Sequence, residues 1–167
     1  SFNQLTSMVT GIFHIWEEGD LKQLPLAQCR VQPVNPSAEG PADLLGDIVC
    51  TGLTHEEARR EAGLSGIEAY VSQMIGSLEL PPEVEVGAGE TFAESVGRGL
   101  QRWMAEELIK QSLEQEYSVL PVQLRTVEDE RCNFYLQALT TLQGAPTIGI
   151  GEEVSGFPVV WIGTNDR

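Results

Sequence analysis

Gly52-Leu53-Thr54-His55-Glu56-Glu57-Ala58 and Gly89-Glu90-Thr91-Phe92-Ala93-Glu94-Ser95 are two versions of one local pattern, 37 residues apart. Each places a Thr with an acidic residue three positions later. In this capping-box arrangement the two side chains satisfy backbone N–H groups that a helix start leaves without partners. Both stretches therefore predict helix N-termini. The first helix is expected from about His55 to Ser77, the second from about Phe92 to Glu114.

Along the first helix, Ala58, Ala62, Ile67, Val71, Met74, Ile75 and Leu78 recur at helical spacing. Gly63 and Gly66 each cost about 1 kcal/mol relative to Ala, which implies either a closely packed neighbour or a locally weak helix. Leu80-Pro81-Pro82 ends the element, and Val84-Glu85-Val86 is expected as a brief strand. The second helix is expected to bury Phe92, Val96, Leu100, Trp103, Met104 and Leu108.

Upstream, Met8 to Trp16 and Leu24 to Val34 predict strands on their β-branched and aromatic content. Pro25 and Pro33 near the limits of the second suggest an edge position. A loop over Asn35 to Pro41 and a short apolar run, Ile48-Val49-Cys50, lead into the first cap. Downstream, Val119 to Leu124 predicts a strand. Thr126 to Asp129 offers a weaker cap for a third helix with Cys132, Tyr135, Leu136, Leu139 and Leu142 on its apolar face. Gly144-Ala145-Pro146 breaks that helix, and Thr147–Ile150 with Phe157–Ile162 predicts a closing hairpin. The expected class is α+β: a mixed or antiparallel sheet with two to three helices packed on one side.

A length of 167 residues suits a single domain over residues 1–167, able to bury roughly 70% of its unfolded surface. Ten basic against twenty-five acidic side chains leave a formal charge of −15. Such a field repels phosphate backbones and anionic lipid, so neither nucleic acid nor membrane is an expected partner. It is compatible with a metal, a basic peptide, or solubility alone. No apolar run reaches the roughly 18–20 residues of a membrane helix, and no secretion signal is visible. The chain opens at Ser1 without Met, which suggests a piece of a longer protein. Cys29, Cys50 and Cys132 form no metal-binding spacing and too sparse a set for a disulfide framework. They are expected as reduced, mostly buried thiols of a cytoplasmic protein, with Cys29 and Cys132 serving as packing residues.

Gly52-Leu53-Thr54-x-Glu56-Glu57-Ala58-Arg59, running into Gly66-Ile67-Glu68-Ala69-Tyr70, resembles the opening helix of the YcaO superfamily. Gly87-Ala88-Gly89-Glu90-Thr91-Phe92-Ala93-Glu94 resembles that family's second conserved helix start. Phe157-Pro158-Val159-Val160-Trp161-Ile162 resembles its Phe-Pro-Val strand. Together the matches run from about Val9 to Gly163, less than a complete YcaO catalytic domain.

Active YcaO proteins use ATP to activate a backbone amide oxygen, converting Cys, Ser or Thr of a precursor peptide to an azoline. The resemblance implies carboxylates that hold magnesium and triphosphate on two helices. The first helix's Ser-x-x-x-Glu-x-x-Glu-Arg pattern falls here on Glu61, Ser65, Glu68 and Ala69, and only Glu68 matches. The second helix's Glu-x-x-Glu-Arg pattern falls on Arg102, Ala105 and Glu106. Glu68, Arg102 and Glu106 are thus the implied remnants of an ATP/magnesium site, with Arg102 able to neutralise a phosphate.

The combination is similar to accessory proteins of azole-containing bacteriocin clusters, which join a ThiF-like portion to a C-terminal YcaO-like portion. This implies a non-catalytic accessory domain, without cofactor, that docks on a cyclodehydratase and precursor-peptide complex or self-associates as a homodimer. A divergent, active domain using ATP and Mg2+ is the alternative, and a general peptide-binding domain a third. Glu57 and Glu94 read as caps or as ligands, and Glu68 as a remnant or a solvated helix residue. His14 is expected in the core and His55 in solvent. Gly87-Ala88-Gly89 reads as a structural turn or, loosely, as a phosphate cradle. Trp16, Trp103 and Trp161 are expected as core or as interface anchors.

Overall fold

A computed structural model describes residues 2–7, 11–39, 43–78, 84–114, 118–123 and 127–164. Met8–Thr10 of the first expected strand, Leu80-Pro81-Pro82, and Leu124 and Thr126 lie outside these residues. The fold is α+β, with three α-helices and two antiparallel three-stranded sheets among the described residues. It forms two compact units, Ser1–Trp103 and Met104–Arg167.

In the first unit a short 3-10 turn, Phe2–Leu5, precedes β1 (Phe13–Glu17), β2 (Ala27–Pro33), β3 (Ile48–Gly52) and α1 (His55–Gly76). The strands pair in the order β1-β2-β3. β2 is therefore central, not at an edge. Pro25 precedes the strand and Pro33 closes it, so neither removes a hydrogen bond from the middle of the ladder. Along β2, Ala27, Cys29, Val31 and Pro33 are buried while the alternate residues are half-buried, the period-2 pattern of a sheet with one covered face.

α1 covers that face. Phe13, Ala27, Cys29 and Val31 from the sheet meet Ala58 and Ala62 from the helix in one core. The small residues on α1 let its backbone come close. A Cβ on Gly66 would lie 2.7 Å from Cε1 of Phe13 and 2.8 Å from Cγ2 of Val31, so here the glycine marks a packed neighbour. The covered face ends before the helix does, because Met74 in its last turn is exposed, as is Leu78 just beyond it.

Residues 84–86, expected as a strand, form none. They lead to α2 (Phe92–Glu114), which continues past Trp103 into the second unit. Its limits are those expected, but its packing is not. α2 buries no residue, and Phe92 is 87% exposed.

The second unit adds β4 (Leu120–Val122), α3 (Glu130–Gln143), β5 (Thr147–Ile150) and β6 (Val160–Gly163), the strands pairing in the order β4-β5-β6. Asp129 caps α3, its Oδ1 accepting from the N–H of Cys132 at 2.6 Å. Gly144, with φ of 93°, ends the helix in a conformation open to glycine. α3 buries only Ala138, so Cys132, expected as a packing residue, is instead exposed. Leu120, Ile150 and Val160 stand in register across this sheet, and all three are exposed.

Candidate functional site

The two quoted stretches fold alike. Thr54 Oγ1 accepts from the N–H of Glu57 at 3.1 Å, and Thr91 Oγ1 accepts from the N–H of Glu94 at 3.2 Å. The acids reach back one residue past the cap: Glu57 Oε2 accepts from the N–H of Leu53 and Glu94 Oε2 from that of Glu90, each at 2.9 Å. The glycines match too. A Cβ on Gly52 would lie 2.7 Å from the backbone N of Ala58, and one on Gly89 2.7 Å from that of Ser95. Glu57 and Glu94 are caps.

Ion pairs bind α1 to the start of α2. Arg60 pairs with Glu94, and Glu68 with Arg102, so both partners advance by eight residues and the helices run parallel. Parallel helices align their dipoles unfavourably, and cross-helix charge pairs offset this. Glu68, 2% exposed, accepts four hydrogen bonds. To Oε1 come the N–H of Ala88 at 3.0 Å and Arg98 Nε at 2.7 Å. To Oε2 come Arg98 Nη2 at 3.1 Å and Arg102 Nη1 at 3.3 Å. A carboxylate has about four acceptor sites, and those of Glu68 are filled.

Arg98 also donates to Glu61 Oε2 at 2.6 Å and to Ser65 Oγ at 3.4 Å. One guanidinium thus touches Glu61, Ser65 and Glu68, three positions of the first-helix motif. The Glu68 bond is the largest cause holding Arg98 well above the ordinary arginine range. Arg60 donates to Glu61 at 3.2 Å and Glu90 at 3.1 Å, besides Glu94. Glu94 is held below the usual carboxylate range, first by Arg60 and next by the Glu90 N–H. Arg102 reaches Glu85 at 3.3 Å.

Of the implied remnants, Glu68 and Arg102 therefore meet directly. Glu106 is exposed on the part of α2 that belongs to the second unit, and makes no ion pair among the described residues. Arg98, the centre of the network, escaped the sequence reading. The repeat itself carries its signal: at the 37-residue spacing Arg98 corresponds to Glu61, so a cation on one helix matches an acid on the other.

The residues present do not fit magnesium. Mg2+ needs free oxygens at about 2.0–2.1 Å in near-octahedral order, whereas the Glu68 oxygens are committed to N–H donors. Among the described residues no group of three or more His, Cys, Asp or Glu is placed to hold a metal ion. A phosphate cradle fares no better. The N–H of Ala88 is taken by Glu68, that of Glu90 by Glu94 and that of Glu94 by Thr91. Gly87 and Gly89 press against α2, a Cβ on Gly87 falling 2.1 Å from the carbonyl oxygen of Ser95. They form a structural turn. Beside this turn lies an open cleft of about 560 Å³ with Leu64, Ile67, Val71 and Val86 in its walls, suited to apolar groups rather than to a triphosphate.

His14 is half-buried, and His55 is exposed with Nδ1 3.3 Å from Glu18 Oε1. Trp16, Trp103 and Trp161 are each half-buried. No family model, characterised protein or solved structure matches the chain. Among the described residues no helix is long and apolar enough to cross a membrane.

Proposed function

We propose that this chain is a non-catalytic YcaO-like accessory domain in the maturation of thiazole- and oxazole-modified peptides. One observation carries the reading. The guanidinium of Arg98 sits among Glu61, Ser65 and Glu68, where the YcaO resemblance implies a magnesium–nucleotide site. A built-in cation there supplies in cis the positive charge that a metal would bring.

What remains is a surface for partners. Phe92, Val96 and Leu100, one helical turn apart on α2, are all exposed. Apolar residues in such a row are characteristic of helix docking. The partner in this reading is the cyclodehydratase with its precursor peptide, or a second copy of the chain, in the cytoplasm.

Calorimetric titration with Mg-ATP tests the loss of nucleotide binding, and co-purification with a cognate cyclodehydratase and precursor tests the accessory role. The expected results are no saturable heat with Mg-ATP and retention of the enzyme. Low-micromolar Mg-ATP binding that disappears in Glu68→Gln would overturn the non-catalytic reading in favour of an active domain.

A further inference from the structure

Arg59 stands apart from the other arginines of the first unit. Arg30, Arg60, Arg98 and Arg102 each have a carboxylate oxygen close by: Glu17 at 3.0 Å, Glu90 at 3.1 Å, and Glu68 at 2.7 and 3.3 Å. Among the described residues Arg59 makes no ion pair, in a chain that carries twenty-five acidic side chains. Its guanidinium carbon lies 4.2 Å from the centre of the Trp16 ring. Trp16 is anchored in turn, its Nε1 donating to the carbonyl oxygen of Arg59 at 3.0 Å. The ring therefore holds the cation in place without consuming the N–H groups that recognise anions.

This pair opens onto a cleft of about 430 Å³ lined by Trp16, Glu56, Arg59, Arg60 and Glu90. Arg60 is already committed to Glu61, Glu90 and Glu94. Arg59 is thus the cation of the cleft with donors to spare. A planar guanidinium matches a carboxylate, taking both oxygens in parallel N–H···O bonds. Glu56 and Glu90 at the same cleft repel a dianion such as phosphate, while one compact negative charge faces less opposition. The Trp16 ring offers an apolar wall to the carbons next to that charge.

We propose that the Trp16–Arg59 cleft is a binding site for an α-carboxylate. Such a group comes from a free amino acid or from the C-terminus of a peptide. The proposal does not rest on the accessory role, although Arg60 of this cleft shares Glu61 with Arg98.

The test follows the Trp16 indole N–H of the full chain by 15N NMR during separate titrations with N-acetylglycine, glycine, N-acetylglycinamide and inorganic phosphate. A saturable shift with N-acetylglycine identifies a peptide terminus as the source, and a shift with glycine alone identifies the free amino acid. Either supports the site. In R59K binding weakens about tenfold, the loss of one charge-assisted hydrogen bond, and in R59A it is lost. The Trp16 bond goes to the backbone of residue 59, so neither variant removes that anchor, and the remaining amide spectrum reports whether the fold is kept. An equal shift with N-acetylglycinamide, tighter binding of phosphate, the absence of any shift, or binding that persists in R59A would overturn the proposal.

Discussion

Nε of Arg98 on α2 lies 2.7 Å from Oε1 of Glu68 on α1, and Nη2 of the same guanidinium lies 3.1 Å from Oε2. The grip is two-pronged, on a carboxylate that is 2% exposed. Removing two charges from water is costly, so such a pair need not add net stability over an apolar equivalent. Its geometry fixes the register of the two parallel helices instead. Breaking one side is another matter, because the partner is left without its counter-charge.

Glu68→Gln should lower unfolding free energy by about 3 kcal/mol, the usual scale for removing one partner of a buried pair. Urea denaturation measures it. Combining Glu68→Gln with Arg98→Gln should cost less than the sum of the two, with a coupling of about 1–3 kcal/mol. Additive effects would mean that the two residues do not act as a pair.

The matched caps predict matched energetics. Thr54→Ala and Thr91→Ala should each cost about 1 kcal/mol, since each removes one side-chain acceptor from a helix start. Gly52→Ala and Gly89→Ala should also lose stability, because each new methyl would meet backbone at 2.7 Å. A cap substitution that proves neutral by thermal unfolding on one helix and costly on the other would show that the repeat is not one structural unit.

Both helix starts, the limits of α2 and the α+β class were legible in sequence, because capping and breaking signals act over a few residues. Burial on α2 was not. Apolar periodicity identifies a face but not whether another element covers it, and Phe92 is 87% exposed. The edge assignment of β2 failed for a related reason: prolines exclude a strand from a sheet interior only where their missing N–H would be needed. Motif positions singled out Glu68 and Arg102, which meet in an ion pair, but not Arg98, which matches no position of the motif. Its role comes from the neighbouring helix, and only the alignment of one repeat on the other hints at it.

Gly66→Ala sets two effects against each other. Alanine favours the helix by about 1 kcal/mol, but its methyl would enter the space of Phe13 and Val31 at 2.7 and 2.8 Å. Phe13 is fully buried and cannot swing into solvent. Overpacking costs about 1–3 kcal/mol, so the expected net change is a loss of about 1 kcal/mol, seen as a lower Tm. A rise in Tm would mean that α1 moves freely away from the sheet.

Acid should loosen the junction of the two helix starts. Glu94 is held below the ordinary carboxylate range, so its contribution is present above the unfolded-state value of about 4.3 and fades as pH falls through the folded-state value. The carboxyl carbon of Glu94, followed by NMR, should titrate with a midpoint below 4.3. Arg60→Gln should move that midpoint upward, because Arg60 is the largest cause of the shift. An unchanged midpoint in the variant would assign the shift elsewhere.

The three thiols should separate by reactivity. Cys132 is exposed, Cys50 is half-buried and Cys29 is fully buried. Desolvation raises both sheet cysteines, Cys29 to about 11, which starves them of the reactive thiolate near neutral pH. At pH 8 an aromatic disulfide reagent should label one thiol on mixing, a second slowly, and the third only as the chain unfolds. Cys132→Ser should delete the fast phase alone. The same shift has a stability consequence. A raised folded-state value favours the fold fully below the unfolded value near 8.5 and loses that benefit as pH climbs toward 11. Cys29→Ala should therefore flatten the alkaline limb of the stability curve between those values. If Cys132→Ser keeps the fast labelling phase, the exposed position of that thiol on α3 is wrong.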